Sequence, residues 1–307
     1  MQRVLDPAQI EAYATQRAIP RIRLPDPTTV FSNRAQRLRK LSEGHAVGDY
    51  LRLMAALGDA QQRAVEQLHL APVVGRDVFD GMPLLQAAGH ARDEQWRGVL
   101  LQLCESIGAT PGFPAGVAAV CRWIQHAEPA VLDEQADLLL TAETHGVDPQ
   151  AAPFIMGALQ VCWARLVSSV SFDTIAEHVG RFDVPGLCPV CGTLPVASIV
   201  RADKAYQGYR YLQCALCATE WHFVRVKCSQ CLSTEGIHYH TIEGGSAAVR
   251  AEACDACRTY RKICYQEQDM EVEPLADDLG SLALDLLMSE AGFHRASGNP
   301  LLWQAST

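Results

Sequence analysis

Four Cys-x-x-Cys pairs lie in the second half of this 307-residue chain: Cys188/Cys191, Cys214/Cys217, Cys228/Cys231 and Cys254/Cys257. Such a knuckle turns the backbone so that both sulfurs face one ion. Nearby amide N–H groups then bond to the thiolates and offset their negative charge. The gaps between successive pairs are 22, 10 and 22 residues, so the cysteine framework repeats with a period of 40. Outside the cysteines little repeats, beyond Arg210 with Arg250 and Thr219 with Thr259. A Cys-x2-Cys-x15–20-Cys-x2-Cys pattern is a recognised structural metal site, and a 22-residue gap extends it modestly. The repeat therefore predicts two sequential sites, Cys188/Cys191/Cys214/Cys217 and Cys228/Cys231/Cys254/Cys257. Interleaved pairing, or Cys214/Cys217 with Cys228/Cys231, is the alternative arrangement.

Four thiolates in a tetrahedron suit both zinc and iron, and the spacing does not discriminate between them. His222, His238 and His240 lie close enough to replace a thiolate, but eight cysteines already fill two sites, so they read as surface or strand histidines. Cys264 falls outside both sets. Gly192 follows the first knuckle, as suits a positive φ. Ala218, Leu232 and Arg258 stand at that position in the other three, which predicts tighter or more strained turns.

Between the knuckles the chain reads as strands and turns. "PVASIV" and "GYRYLQC" flank "DKAYQG", while "GIHYHTIE" and "AAVRAEAC" flank "GGS". These are small antiparallel units of the zinc-ribbon or rubredoxin type. Neither 40-residue unit builds a sufficient core alone, so a bound ion, worth roughly 10–16 kcal/mol of apparent binding free energy, has to stabilise it.

The first 185 residues read as a helical bundle of six to eight helices. Asp6-Pro7 opens a first helix. "PRIRLPDP" (Pro20 to Pro27) is a linker. Phe31, Arg34, Ala35, Leu38 and Leu41 share a helical face, as do Tyr50, Leu53, Met54, Leu57, Val65 and Leu68. A loop covers Pro72 to Pro83. Further helical windows run over 93–107, 116–126, 129–145 and 148–170. No catalytic constellation is visible: His90 and His145 beside acids read as loop or helix-end residues. Cys104, Cys121 and Cys162 read as buried thiols acting as small hydrophobes. At the C-terminus "ADDLGSLALDLLMSEAGF" reads as one helix, with Leu279, Leu282, Leu286 and Leu287 or Met288 on its inner face. Asp277 and Asp278 suit its positive N-terminus. The fold class is thus α+β: a helical domain (1–185), two four-cysteine β modules (186–226 and 227–270) and a C-terminal helix packing back on the body (271–307).

Net charge is −9 with pI near 5.6, which counts against a nucleic-acid or membrane-surface partner. The cysteine-rich region carries nine Lys/Arg against six Asp/Glu between Cys188 and Cys264. Two tetrathiolate centres would cancel that excess. The N-terminus has no apolar signal core and no segment approaches membrane-spanning length, so a cytoplasmic location is expected. Twelve cysteines without a secretory signal point to metal binding rather than a disulfide framework.

In order along nearly the whole chain, "LPDPTTVFSNRAQRLRKLSEGHAVGDYLRLMAAL", "CPVCGTLPVAS", "YLQCALCATEWHFVRVKCSQC", "EACDACRTYRKI" and "DDLGSLALDLLMSEAGFHRASGNP" resemble the formate dehydrogenase accessory protein FdhE family. The resemblance implies a cytoplasmic maturation factor, not an enzyme. Its implied partner is the catalytic subunit of respiratory formate dehydrogenase, which carries molybdopterin and an iron–sulfur cluster and is bound before export. It also implies rubredoxin-like iron at the two four-cysteine sites, with zinc as the alternative occupant. The missing glycines depart from a true rubredoxin. The rival readings are a rubredoxin-like electron carrier and a zinc-ribbon nucleic-acid adaptor.

Overall fold

The computed structural model describes residues 19–70, 81–89, 92–143 and 145–303. The helix expected after Asp6-Pro7, His90 and most of the Pro72–Pro83 loop lie outside the described residues.

Among the described residues, seven helices precede the main run of strands: α1 (Val30–Ser42), α2 (Gly48–Gln67), α3 (Gln95–Gly108), α4 (Ala115–His126), α5 (Pro129–Leu140), α6 (Ala152–Ser168) and α7 (Phe172–Arg181). The first six follow the apolar windows of the sequence. Helix α6 is buried almost all round, which is why its sequence has no polar stripe; α2, α3 and α5 pack on it. Helix α7 was not anticipated. It fully buries only Ile175 and is short, at ten residues, although Phe172, Ile175, Ala176 and Val179 do fall at helical spacing in the sequence; Ser171 caps it, accepting from the Thr174 N–H at 3.2 Å. No single described helix is both long and apolar enough to cross a membrane.

Helix α1 buries Phe31, Arg34, Ala35 and Leu38 of the expected face, and Arg37 besides. The partners of the two arginines lie some 240 residues further on. Arg34 Nε donates to Glu273 at 3.1 Å, and Arg37 donates to Asp277 at 2.9 and 2.6 Å and to Asp269 at 2.8 Å. Glu273 and Asp277 belong to α8 (Pro274–Leu279) and its cap, which also packs on the sheet. Asp277 and Asp278 are therefore buried ion-pair partners, and not merely helix-dipole charges at a surface.

The C-terminal helix is divided in two, α8 and α9 (Leu282–Glu290). The break falls where the buried Lys262 ammonium takes the carbonyls of Asp278 (2.7 Å) and Ser281 (3.1 Å). The inner face after the break differs from the expected one: Leu284 and Met288 are buried, whereas Leu286 is 68% and Leu287 48% exposed.

The strands are β1 (Ile22–Arg23), β2 (Pro195–Val200), β3 (Arg210–Cys214), β4 (Glu220–His222), β5 (Ile237–His240), β6 (Val249–Cys254), β7 (Thr259–Tyr265) and β8 (His294–Arg295). They form one sheet in the order β1-β4-β3-β2-β7-β6-β5, with β8 beside β7. The two antiparallel units expected from the spacing are joined through β2 and β7, which pair in parallel with Ser198 opposite Ile263 and Val200 opposite Tyr265. All six residues of β2 are buried, as a strand covered on both faces requires. The segment read as a linker supplies β1: Ile22 pairs with Trp221, and the His222 N–H donates to Arg21 O at 2.9 Å. Two residues between prolines are too few to show a period of two in the sequence.

Candidate metal centres

The structure gathers the eight knuckle cysteines into two groups, Cys188/Cys191/Cys214/Cys217 and Cys228/Cys231/Cys254/Cys257; within each, all four sulfurs lie within 4.8 Å of one another. This is the sequential arrangement, not the interleaved one. In the first group Cys188 and Cys217 Sγ are 3.7 Å apart and Cys191 and Cys214 Sγ 3.3 Å. In the second, Cys228 to Cys257 and Cys231 to Cys254 are both 3.6 Å.

All four knuckles turn alike. The residue after the second cysteine has φ of +80° at Gly192, +58° at Ala218, +65° at Leu232 and +56° at Arg258. Glycine is thus dispensable for the turn, although each non-glycine residue there accepts a left-handed backbone costing about 1–2 kcal/mol. The turn brings the N–H of Gly192, Leu232 and Arg258 onto the carbonyls of Cys188, Cys228 and Cys254 at 2.8, 3.1 and 2.9 Å. It also aims amides at sulfur: Leu216 and Cys217 N–H donate to Cys214 Sγ at 3.3 Å each, and Gln230 N–H to Cys228 Sγ at 3.3 Å.

The surroundings of the two groups differ. All four cysteines of the first are buried, and its knuckles make direct contacts with the N-terminal region. Leu84, Leu85 and Ala87 N–H donate to the carbonyls of Pro189, Val190 and Cys191 at 3.1, 2.8 and 2.8 Å. From α6, Gln160 Nε2 donates to Ala215 O at 2.7 Å. In the second group Cys231 is exposed and Cys257 half-buried. The first knuckle leaves no room at its turn: a Cβ on Gly192 would meet Pro83 Cγ at 2.8 Å. Gly192→Ala is therefore expected to lower stability by about 1–3 kcal/mol, through the left-handed backbone and the displaced loop. Denaturant midpoints check the loss, and faster proteolytic cleavage around Pro83–Ala87 locates it.

Family models described as "FdhE, N-terminal", "FdhE, central domain" and "FdhE, C-terminal domain" match residues 19–179, 187–225 and 226–302. The chain belongs to the FdhE family. It is 39% identical over 293 residues to "Protein FdhE homolog" of Cronobacter sakazakii, covering 94% of this chain and 93% of that one. It is 39% identical over 289 residues to "Protein FdhE" of Salmonella paratyphi A, covering 93% and 92%. Its structure is similar to the crystal structure of the FdhE protein from Pseudomonas aeruginosa, with a TM-score of 0.78 and 35% identity over 94% of this chain and all of that one. The boundary between the FdhE central and C-terminal models falls between the two cysteine groups, at residues 225 and 226. There Val226, a β-branched residue, adopts φ of +53°.

Both groups suit a tetrahedral ion. A metal–sulfur bond of about 2.3 Å places tetrahedral sulfurs about 3.8 Å apart; three of the four separations, 3.7, 3.6 and 3.6 Å, are close to this, and Cys191–Cys214 is shorter at 3.3 Å. Four soft thiolates admit zinc or iron. Burial pushes the Cys188 and Cys217 thiols well above their ordinary value. Burial also opposes ionisation of Cys214, but Cys188, Cys191, Cys217 and Thr193 outweigh it and hold that thiol well below. In the second group burial pushes Cys228 up to about 12, while at Cys257 the hydroxyl and amide of Thr259 overcome burial and hold it at about 7.

A hydroxyl residue two places after each knuckle was missed from the sequence, although Cys-x-x-Cys-x-Thr/Ser occurs four times, at Thr193, Thr219, Ser233 and Thr259. The carbonyls of Thr193, Thr219 and Ser233 accept from the N–H of Cys188, Cys214 and Cys228 at 3.0, 2.9 and 2.8 Å. Three of the hydroxyls touch sulfur: Thr193 with Cys191 (3.1 Å) and Cys214 (3.0 Å), Thr219 with Cys217 (3.2 Å), and Thr259 with Cys257 (3.0 Å). The histidines join neither group. His222 packs edge-on to Tyr209 and Tyr211, His238 bonds Asp255 at 2.7 Å, and His240 lies against Phe293. Cys264 is buried on β7, Cys104 and Cys121 are buried in the helices, and Cys162 is half-buried.

Proposed function

We propose that this chain is a non-enzymatic accessory factor for respiratory formate dehydrogenase, and that it binds the molybdopterin- and iron–sulfur-containing catalytic subunit in the cytoplasm before export. The observation that carries the reading is FdhE-family similarity along nearly the whole chain together with assembly of both four-cysteine groups. In this reading Cys188, Cys191, Cys214 and Cys217 hold one ion and Cys228, Cys231, Cys254 and Cys257 another, with iron favoured over zinc. The ions hold the docking surface in shape. The exposure of Cys231 favours one second reading, a rubredoxin-like electron carrier, which requires iron and a reversible visible-band change with a defined midpoint potential.

The deciding experiment deletes the gene in its own organism and measures formate-to-dye electron transfer while blotting for the catalytic subunit. The expected result is subunit present but inactive, with activity restored by the wild-type gene. Untouched activity would overturn the accessory role.

A further inference from the structure

Arg261 lies on β7, two residues beyond Thr259, and is only 5% exposed. Its Nε donates to the hydroxyl of Ser229 inside the third knuckle at 2.9 Å, and Nη1 donates to Pro195 O and Ser297 Oγ. Nη2 is buried with no hydrogen-bond partner among the described residues. Among the described residues no carboxylate pairs with this guanidinium, because those around it are taken. Glu252, opposite it across the β6–β7 ladder, is held by Arg210 at 2.6 Å and by the Tyr239 hydroxyl at 3.0 Å. Asp278 is held by Arg295 at 2.7 Å, Lys262 at 3.4 Å and Asn299 at 2.8 Å.

A buried charge without a counter-charge is costly enough that structures rarely keep one. Arg261 lines the same small cavity as Cys228 and Cys254. Four thiolates around a divalent ion carry a net double negative charge, and around a trivalent ion a single one. Either would supply what the guanidinium lacks. The first centre is different, since its cysteines sit in the apolar cluster among Val190, Val196, Leu216 and Trp221.

We propose that Arg261 is the internal counter-cation of the second four-cysteine centre, balancing within the protein the negative charge of the metal–thiolate group. The proposal rests on the reading of the cysteine groups as metal centres. Arg261 is a positioning and charge-compensating residue, not a ligand.

The test compares full-length wild-type, Arg261→Gln and Arg261→Lys proteins loaded with zinc and titrated with a chromophoric chelator. Zinc retained per chain is the readout, and circular dichroism checks the fold. Wild type is expected to retain two ions. Arg261→Gln, which keeps a polar side chain but removes the charge, is expected to give up one of them with affinity lowered about 10–100-fold, the range seen when groups supporting metal ligands are removed. The other ion should be unaffected. Arg261→Lys should keep both within a few-fold of wild type. In a Cys231→Ser background, Arg261→Gln should change nothing further, which assigns the weakened ion to the second centre. Wild-type affinity for both ions in Arg261→Gln would overturn the proposal. Equal loss in the Lys and Gln proteins would also overturn it, assigning Arg261 to hydrogen bonding alone. Wild-type protein that holds no zinc or iron would instead remove the metal reading, and the proposal with it.

Discussion

Cys188→Ser is expected to prevent stable folding, whereas Cys231→Ser should leave a folded chain holding one ion instead of two. Both changes remove a single thiolate from a four-sulfur group, so the difference lies in what each group supports. The carbonyls of Pro189, Val190, Cys191 and Ala215, all in the knuckles of the first group, accept the hydrogen bonds from residues 84–87 and from Gln160. Loss of that ion withdraws about 10–16 kcal/mol of binding free energy, as much as the whole stability of an ordinary domain. It also loosens the surface on which the helical region sits. Among the described residues the second group carries no such contacts, and Cys231 is exposed. Soluble yield, circular dichroism, limited proteolysis and metal content per chain report the contrast. A folded Cys188→Ser protein, protected from protease like wild type, would show that the first centre is not the joint between helices and sheet.

The second large effect is expected at Asp278, which is fully buried and has no cysteine near it in sequence. Its carboxylate accepts from Arg295 at 2.7 and 2.8 Å and from Asn299 at 2.8 Å, and it faces Lys262 at 3.4 Å. Asp278→Ala leaves the buried Lys262 and the partly buried Arg295 to share Asp285 alone and is expected to cost about 3 kcal/mol, the lower end for a broken buried pair, read as a lowered denaturant midpoint. Glu271→Ala is the control: it breaks only the exposed pair with Lys40 and should cost less than about 1 kcal/mol. Acid provides an independent check. Burial raises the Asp278 carboxyl, but Lys262 and Arg295 outweigh it and hold it below its ordinary 3.8. A carboxyl depressed by folding adds stability above its unfolded value, and that stability is lost as pH falls through the folded one. Wild type should therefore lose more stability than Asp278→Ala as pH drops below about 4. Parallel losses in the two proteins would mean that Asp278 is not ionised in the fold.

The cysteine grouping was legible because it is nearly local: a fixed spacing and a repeated offset leave few ways to bring eight sulfurs together. The helices with a strong apolar face were legible for a similar reason. What escaped depends on partners far along the chain. Nothing near Arg34 and Arg37 shows that they will meet Glu273 and Asp277: Arg34 fell on the shared face of α1 with no partner in view, and Arg37 looked like ordinary alternation with solvent. The parallel join of β2 to β7 has no turn and no local signature, since 58 residues separate the end of one strand from the start of the other. Ser229 and Arg261 likewise meet only once the sheet has formed. The hydroxyl after each knuckle is the exception. It was present as a fourfold pattern, and its meaning became visible when the carbonyl and hydroxyl were seen to face the cysteine amide and sulfur.

The β2–β7 join also has a polarity. Shifted by the cysteine repeat, β2 corresponds to β5, β3 to β6 and β4 to β7. The leading strand of one copy is thus bonded to the trailing strand of the next. Head-to-tail joins of this kind, repeated, either close into a ring or grow as an open row. One end of the row is already occupied, because β1 from the N-terminal segment lies along β4 where another leading strand would go. The other end is β5, a four-residue strand too short to offer much of an edge. A duplication that could have been the start of a fibre is stopped at two copies by a pair of residues between prolines at one side and by brevity at the other.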